Sequence, residues 1–455
     1  MKPVRGKLAL TTAAMLLLAA CGGGSTVTTR PSQSSPTGSS PVTSAAPTAA
    51  PATAAPATAT PQGERVLRMA VSSPGEALIR VFDGVAAQFE AANPGFDVEM
   101  NYQEDDLYST IGLPNLLAGR NAPDIYFEWT GARLENRYAE GYAADISAAV
   151  QSGPLAGLFD DETFGPATVD GKIVMVPYSA DVTNVLWYNT QLLQDNAVEP
   201  PTTWEGLLAA CDTLDAAGVI PIASGNKDLW AAGNWLAHLV SRVVGEESYD
   251  AVLGGEGKFS TPEWEQALGY IVELKDHNCV NESVNAVDDT AGAELFFQGE
   301  AAMHAIGSWL VSWAIDEAPD LDFDYVNLPA MPTGSAGNQE SAIGVATGFV
   351  VNAKSTNIDL ATEFLALLNS DENVQQFIVA EVVPLAKSAA EGVEVDSRTA
   401  RLSAMLEEAP AIVLPPDTGY DLEMADAFYT ALAAVLGGVQ TPADALAEVD
   451  QKLER

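Results

Sequence analysis

Basic residues, histidines and cysteines are scarce in this chain. Its 455 residues include 21 Lys and Arg against 62 Asp and Glu, which gives a formal net charge of −41 at pH 7. Because so few cations are available to neutralise phosphates, this balance excludes nucleic acid as a partner. The acids are spread along the whole chain, which favours a solvated acidic surface; attraction of a cationic ligand is the alternative interpretation.

Motifs for catalysis and metal binding are also missing. The sequence contains no HExxH, no Gly-x-Ser-x-Gly and no phosphate-binding loop that ends in Lys-Ser or Lys-Thr. His238 and His304 show no ligand spacing. We therefore predict no catalytic residues, no metal and no cofactor. A secreted glycoside hydrolase is the remaining enzyme hypothesis, and it would need two facing carboxylates about 5–9.5 Å apart.

Long apolar runs are absent after the first 20 residues, and no later segment is apolar enough to span a membrane. Basic residues near the start precede a mainly apolar stretch, 8–20, that ends in Leu18-Ala19-Ala20-Cys21. This pattern predicts a secretory signal peptide over 1–20. The cysteine resembles that of a bacterial lipoprotein signal, in which Cys21 is lipidated and becomes the mature N-terminus. An ordinary secretory signal with a chance cysteine is the alternative.

The segment after the predicted signal has little that could fold. Residues 22–63 are almost entirely Ser, Thr, Ala, Pro and Gly, with Arg30 as the one charge. Such a composition buries too little apolar surface to offset chain entropy, and its Ala-Pro and Thr-Pro pairs keep it extended. We expect 21–64 to be a disordered tether between a membrane and a folded body.

Two cysteines remain once Cys21 carries the lipid, namely Cys211 and Cys279. In an exported protein such a pair indicates a disulfide. Two buried thiols are one alternative. A metal site that combines Cys279 with His277, two residues away, is the other.

The folded body alternates strand and helix signals. Residues 66–71 form a candidate strand, apolar residues recur at helical spacing over 78–89, and 96–100 alternate as a second strand. This βαβ pattern predicts an α/β fold with a parallel sheet, and the length of the body indicates two domains. Further predicted elements are strands at 122–127, 172–177 and 185–188, a helix capped by Thr202 and Glu205, a helix that starts at Thr261-Pro262, and helices at 358–368 and 374–379.

Six groups of residues, in a fixed order, carry a resemblance to a known family. They are Ala122-Pro123-Asp124-Ile125; Pro177-Tyr178 with Val185-Leu186-Trp187-Tyr188-Asn189; Pro201-Thr202-Thr203-Trp204-Glu205; Gly218-Val219-Ile220-Pro221-Ile222; Phe297-Gln298-Gly299-Glu300-Ala301-Ala302-Met303 with Gly307-Ser308-Trp309; and Gly348-Phe349-Val350-Val351. Together they resemble the extracellular solute-binding proteins of sugar ABC transporters, the maltose-binding-protein-like family, over residues 65–455.

The resemblance implies a two-lobed, periplasmic-binding-protein-like α/β fold of the class II type, with ligand held between the lobes. Carried onto this sequence, the N-terminal lobe would comprise 65–180 plus 302–345, and the C-terminal lobe 181–301 plus 346–455. Hinge crossings are expected near 178–183, 299–302 and 344–349. Such a cleft suits a binding site, because α/β sheets bind ligands beyond the carboxyl ends of their strands.

A saccharide offers apolar ring faces that aromatic side chains stack on and hydroxyls that polar side chains bind. The resemblance implies that Trp309, after the strand 301–306, forms a sugar platform, and a core position is the alternative. It also implies ligand contacts for Glu128 and Trp129 at the end of the 122–127 strand. Asp181 lies at the expected hinge, where an acidic residue often reaches the ligand.

Weaker candidates come from loops. Trp230 and Trp235 follow the 220–222 strand, and we favour Trp235 as the one that lines the cleft. The remaining candidates are Glu104, with Asp105 beside it, after the 96–100 strand, and Tyr420, which would close the cleft from the second lobe. Four other tryptophans are expected to pack in the core, and Asp124 to fix a local turn. The four are Trp187, Trp204, Trp264 and Trp313.

These features together predict a monomeric receptor, anchored by lipid at Cys21 on the extracytoplasmic face of the cell membrane. It would bind a mono- or oligosaccharide and deliver it to ABC transporter permease subunits, without chemistry. A two-lobed receptor for a polyamine or another cation is the main alternative.

Overall fold

The structure is a computed structural model that describes residues 65–454, except 73, 74, 383, 388–392 and 394. The predicted signal peptide, Cys21 and the tether at 21–64 lie outside the described residues. Among the helices that are described, none is long and apolar enough to cross a bilayer.

The strands of the described chain are short, and most of their residues are buried. In order they are β1 (Arg65–Ser72), β2 (Phe96–Gln103), β3 (Ile125–Trp129), β4 (Thr168–Val169), β5 (Lys172–Ile173), β6 (Val176–Val182), β7 (Val185–Asn189), β8 (Ile220–Ala223), β9 (Ala301–Ile306), β10 (Phe323–Val326), β11 (Ala342–Val351) and β12 (Ile412–Val413).

Helices cover both sheets. In order they are α1 (Glu76–Ala92), α2 (Asp105–Leu107), α3 (Leu113–Ala118), α4 (Ala132–Ala139), α5 (Ser147–Ser152), α6 (Thr190–Asp195), α7 (Trp204–Ala217), α8 (Trp230–Val244), α9 (Glu246–Leu253), α10 (Pro262–Asp276), α11 (Asp289–Phe297), α12 (Leu310–Glu317), α13 (Ile358–Leu368), α14 (Asp371–Val379), α15 (Ser397–Glu408), α16 (Pro416–Gly419), α17 (Leu422–Leu436) and α18 (Pro442–Leu453).

The first sheet has the order β12-β11-β3-β1-β2, and β6 also pairs with β11. β1 is parallel to both β2 and β3, as the βαβ pattern predicts. The connecting helix α1 buries Leu78, Phe82, Val85 and Phe89, which recur every three or four residues on one face. Burying each such side chain stabilises the fold by about 1.5–3 kcal/mol. We call this sheet and the helices packed on it the first lobe.

The second sheet has the order β10-β7-β9-β8. β7 is antiparallel to β9 and β10, whereas β8 is parallel to β9. Trp187 on β7 is fully buried, as predicted, and its Nε1–H donates to the carbonyl oxygen of Ile306 at 3.1 Å. We call this sheet and its helices the second lobe.

The sheets divide the chain differently from the predicted lobe boundaries. β9 lies in the second sheet, because it pairs with β7 and β8, although 302–345 was assigned to the N-terminal lobe. β11 lies in the first sheet, where its residues pair with β3 and β6, although 346–455 was assigned to the C-terminal lobe. The strand after β8 therefore stays in the second lobe, and the chain returns to the first lobe only with β11.

Crossings between the lobes follow from these pairings. The first runs through Thr183 and Asn184, at the end of the stretch 178–183 that the resemblance implies; the earlier residues of that stretch pair with β11 in the first sheet. The second occupies 327–341, before the predicted stretch 344–349, and the third follows α14 and precedes α17. At the predicted crossing 299–302 the chain passes from α11 to β9 within the second lobe instead, so that prediction is wrong.

Helix α8 contacts the first two crossings. The Nδ1 atom of His238 lies 3.3 Å from Oδ1 of Asn184, and its Nε2 atom lies 3.1 Å from Oγ of Ser341. The guanidinium of Arg242 donates to the carbonyl oxygen of Ser341 at 2.8 Å and to Oδ1 of Asn327 at 3.0 Å. Burial of this guanidinium lowers the pKa of Arg242 to about 10.

Two local details concern the second-lobe helices. The cap of α7 is Thr203, whose hydroxyl accepts a hydrogen bond from the Gly206 N–H at 3.2 Å. The cap lies one residue after the predicted Thr202, and its N3 position is Gly206, so the predicted capping box with Glu205 is wrong. Cys211 on α7 and Cys279, which follows α10, are joined in a disulfide across 68 residues. A metal site at Cys279 is thereby excluded; His277 instead lies 2.8 Å from Asp212.

Candidate binding site

A cavity of about 550 Å³ opens between the two lobes. This volume falls in the range of about 300–1,000 Å³ that is usual for small-molecule sites. Its walls come from the ends of β1, β3 and β6 in the first lobe, from the region after β9 and the start of α8 in the second, and from α16.

Tryptophans line both sides of the cavity. Trp129, at the end of β3, faces it from the first lobe, as predicted. Trp230, Trp309 and Trp313 face it from the second lobe, which corrects the expectation that Trp313 packs in the core. The rings of Trp230 and Trp309 have centroids 6.0 Å apart at 50°. Several broad apolar faces therefore border one cavity, which is the surface that a sugar ring stacks on.

Trp309 is positioned by the turn that follows β9. The adjacent Gly307 has no Cβ, and a Cβ atom there would lie 2.1 Å from Cζ3 of the Trp309 ring. Only glycine therefore allows the indole to lie back over the chain at this point. Trp309 is partly buried and lines the cavity, which is the position expected for it from the sequence.

Asp181 lies on the cavity wall near the end of β6. The hydroxyl of Ser179 donates to its carboxylate at 3.3 Å, and Ser308 and Thr347 also donate to it through their side chains. Burial raises the pKa of Asp181 to about 6, although the hydroxyl donors act in the opposite direction. The structure thus brings Asp181 to the site.

A second acidic group lies near the loop after β2. Glu104 and Asp105 both line the cavity, and the hydroxyl of Ser72 donates to Asp105. Burial raises the pKa of Asp105 to about 6, while the charge of Arg133 lowers it and the charge of Asp417 raises it. Asp417, on α16, lines the same cavity, and burial is the main cause of its own raised pKa.

Glu128 does not reach the cavity, which corrects the prediction that it contacts ligand. Its side chain is fully buried beneath β3 and accepts hydrogen bonds from Arg137 Nε at 2.8 Å and from Arg133 Nε at 3.3 Å. The alternation of a strand explains this, because neighbours such as Glu128 and Trp129 point to opposite faces. Glu128 positions Arg133, whose guanidinium lies 4.6 Å from the centre of the Trp129 ring.

Trp235 is also absent from the cavity, which corrects our choice between it and Trp230. Its ring is 1% exposed in the second-lobe core, with Nε1 3.4 Å from Oγ of Ser224. At about 100° per residue, five residues along a helix turn the side chain by roughly 140° from Trp230. The two tryptophans therefore cannot share a face, and the helical period of α8 is the signal that separates them.

Tyr420 faces away from the cavity as well. It packs against the second-lobe core, and its hydroxyl donates to Asp250. Asp417, three residues earlier in the same turn-rich segment, lines the cavity instead. The prediction identified the correct segment but the wrong residue, Tyr420 instead of Asp417. The backbone conformation of the short turn determines which of these side chains points into the cavity.

Three hydroxyls at the cavity wall have no hydrogen-bond partner among the described residues. They belong to Tyr178, Thr183 and Ser312, which are 8%, 5% and 3% exposed. All three residues line the cavity. Because buried polar groups are normally satisfied, these hydroxyls suit a polar solute. No sequence pattern distinguishes these three residues, since single Ser, Thr and Tyr residues are common in any core.

The described part of the chain contains no group of three or more His, Cys, Asp or Glu side chains that could hold a metal ion. The arrangement instead offers stacking faces, carboxylates and hydroxyls. These groups are suited to holding an uncharged or cationic polar solute without a covalent step.

Comparison with known proteins agrees with this geometry. A structure from work on xylan utilization by Caldanaerobius polysaccharolyticus superposes with a TM-score of 0.78 at 22% identity, covering 85% of this chain and 100% of the other. A chitin oligosaccharide binding protein gives a TM-score of 0.76 at 21% identity, covering 86% and 99%. These likenesses establish the two-lobed fold.

A sequence relative is similar over a shorter stretch. An uncharacterised ABC transporter extracellular-binding protein of Pyrococcus horikoshii is 23% identical over 310 residues, which are 65% of this chain and 66% of that protein. The matched part is thus slightly less than two thirds of the relative's length. The family model for the bacterial extracellular solute-binding proteins matches residues 75–375, and this chain belongs to that family.

Proposed function

We propose that this protein is a receptor that binds a mono- or oligosaccharide between its two lobes and delivers it to the permease of an ABC transporter. The observation that carries the proposal is the set of tryptophans facing one cavity of about 550 Å³ from both lobes. The name of the relative that binds chitin oligosaccharide supports a saccharide as the class of solute.

The chemistry of the wall supports the same class. Trp129 and Trp309 can stack on the apolar faces of sugar rings from opposite lobes. Asp181 can accept hydrogen bonds from sugar hydroxyls, and the unpartnered hydroxyls of Tyr178 and Thr183 lie on the same wall. A solute of this kind would therefore satisfy groups that the protein leaves without partners.

A thermal-shift screen of mono- and oligosaccharides, linear polyamines and divalent metals tests the proposal. A saccharide that binds only the native state should raise the melting temperature, by an amount that grows with its concentration. The Trp309→Ala variant should show a smaller shift with the same compound. A response confined to polyamines or metals would contradict a sugar receptor.

The polyamine result would favour the second candidate, a two-lobed receptor for a non-sugar cation. The observation behind this candidate is the acidic lining, which includes Asp105, Asp181 and Asp417. A cation also binds the face of a tryptophan, so the observation that favours the saccharide is the set of buried, unpartnered hydroxyls of Tyr178, Thr183 and Ser312, which sugar hydroxyls would satisfy.

We further propose that the receptor acts as a monomer and without catalysis. Incubation with the oligosaccharides that bind should leave them uncleaved, and a sedimentation measurement should give the mass of one chain. Appearance of shorter sugars would instead favour a glycoside hydrolase.

Membrane attachment through Cys21 is the last part of the proposal. Stable anchoring by acyl chains usually takes two lipid signals, and the bacterial lipoprotein modification is expected to place several chains on one cysteine. The Cys21→Ala variant should be found in the soluble fraction while wild type sediments with membranes. Sedimentation of the Ala variant after cleavage of the signal would contradict lipid anchoring.

A further inference from the structure

The charge on the cavity wall is one-sided. Ten of the described lining residues are Asp or Glu, and Arg133 is the one basic residue among them. Arg133 already has partners: Nε lies 3.3 Å from Glu128, and a terminal nitrogen donates to the carbonyl oxygen of Ser109 at 3.2 Å. Its guanidinium also lies over the ring of Trp129. Its charge favours the charged form of Asp105 and Asp417, but one guanidinium does not balance ten acids.

Asp105 and Asp417 are two acids of this wall that are close enough for the charge of Asp417 to act on Asp105. Asp105 follows β2 in the first lobe, whereas Asp417 lies on α16, and each is partly buried. The hydroxyl of Ser72 donates to Asp105, and that of Tyr429 to Asp417 at 3.0 Å. Among the described residues neither carboxylate forms an ion pair, although Arg133 is near enough to favour the charged form of both.

Two like charges that line one partly buried cavity repel, and withdrawing each from water adds a further cost. A cation placed between them would relieve both effects. Hydroxyl donors alone leave the negative charge in place. The wall between Asp105 and Asp417 is thus suited to a positively charged group of the solute.

The rest of the cavity is suited to a saccharide. The buried, unpartnered hydroxyls of Tyr178, Thr183 and Ser312 need polar partners, and Trp309 offers a stacking face. A bare metal ion or a linear polyamine would use the acids and leave these groups unused. A sugar that also carries a charge would use both.

We propose that the solute is a saccharide with a protonated amino group, and that this amine lies between Asp105 and Asp417. The inference rests on the proposed function and narrows its substrate class. Asp181, beside Tyr178, then accepts hydrogen bonds from sugar hydroxyls rather than holding the amine.

Matched pairs of sugars test this by calorimetric titration at pH 7. The pairs are glucosamine with glucose, galactosamine with galactose, mannosamine with mannose, and β-1,4-linked glucosamine oligomers with their N-acetylated counterparts. Within a pair that binds, the amine is expected to bind at least about ten-fold more tightly. Equal or tighter binding of the neutral partner would overturn the inference and leave the sugar receptor intact.

Variants locate the amine. Asp105→Asn and Asp417→Asn should each abolish most of the preference for the amine while changing the affinity for the neutral partner little. Asp181→Asn should weaken both members of a pair alike. Glu363→Gln removes one exposed charge of α13, away from the cavity, and should change neither affinity. A preference for the amine that survives both Asp105→Asn and Asp417→Asn would refute its placement.

The pH dependence gives a second readout. The charged groups that influence Asp105 are Glu104, Arg133 and Asp417, and Asp426 also acts on Asp417. Because burial raises the pKa of Asp105 to about 6, acidification from pH 7 to pH 5 should reduce the preference for the amine several-fold. An unchanged preference would count against the inference. Binding of spermidine with no sugar of either kind would contradict both the inference and the sugar receptor.

Discussion

The buried, charged carboxylate of Asp181 lowers the free energy of unfolding of the unliganded protein at neutral pH. Burial raises its pKa to about 6, above the ordinary value of 3.8, so between about pH 4 and pH 6 the folded state binds more protons than the unfolded state. Stability contributed by this group is therefore lost as the pH rises through that window. Above it, the charged side chain destabilises the unliganded protein.

We predict that Asp181→Asn raises the stability of the unliganded protein at pH 7 by about 1–3 kcal/mol and much less at pH 4. Urea unfolding at the two pH values measures this. Because the chain carries a net charge of −41, removing any acid relieves some repulsion, and Glu363→Gln serves as the control for that general effect. An equal gain in both variants, or a gain that does not depend on pH, would contradict the prediction.

Trp309 and Trp235 make a matched pair of aromatic residues in the second lobe. Trp309 lines the cavity, so Trp309→Ala should weaken ligand binding by about 1–3 kcal/mol through lost stacking and burial, with little change in stability. Trp235 is enclosed in the core, and Trp235→Ala should cost about 3–5 kcal/mol of stability. Calorimetry and thermal unfolding of both variants separate the two roles. Unchanged affinity with a large loss of stability in Trp309→Ala would place that residue in the core.

The family resemblance implies Trp309 and Asp181 as site residues from their places in the chain, and both line the cavity. At Trp309 the absence of a Cβ on Gly307 makes room for the indole. Whether Tyr420 or Asp417 lines the cavity depends on the conformation of one short turn. Tertiary contacts, such as the hydrogen bond from Tyr429 to Asp417, determine that conformation. No local pattern contains that information.

At the scale of elements, α13 has its predicted limits, and α1 extends the predicted 78–89 by two residues at its start and three at its end. The predicted strand 172–177 instead divides into β5 and β6. Asp170 and Gly171 both have positive φ, at 51° and 73°, and join β4 to β5 as a hairpin turn. An Asp-Gly pair is a strong signal for such a turn. The apolar residues that follow this turn are interpreted as one continuous strand, so the short hairpin is not predicted.

The disulfide ties two helical segments of the second lobe. It closes a loop of 68 residues, which in the chain-entropy model stabilises the fold by about 4 kcal/mol. The double variant Cys211→Ala, Cys279→Ala should therefore unfold at a lower urea concentration than wild type. Adding a reductant should destabilise wild type and leave the double variant unchanged. Two alkylatable thiols in the mass spectrum of the non-reduced protein would refute the bridge.

At the scale of the whole molecule, the order of the segments predicts that there are two lobes. It does not predict which strands belong to which lobe. The six residues of β9 are all buried, and those of β11 nearly so. A strand that is apolar on both faces lacks the alternation that would assign it to one sheet. Only pairing across the chain decides that β9 joins β7 and β11 joins β3. The predicted lobe boundaries differ from the sheets for this reason.

The same connections predict how the molecule responds to its solute. The crossings at 182–185 and 327–341 both contact α8, which also presents Trp230 to the cavity. Rotation about such paired crossings can close the lobes, and a solute that touches Trp129 and Trp309 favours the closed state. We predict that the radius of gyration from small-angle scattering falls at saturating solute. Trp309→Ala at the same solute concentration should retain more of the open form because it binds more weakly. A radius that is unchanged in wild type under conditions where calorimetry shows full occupancy would rule out closure as the response.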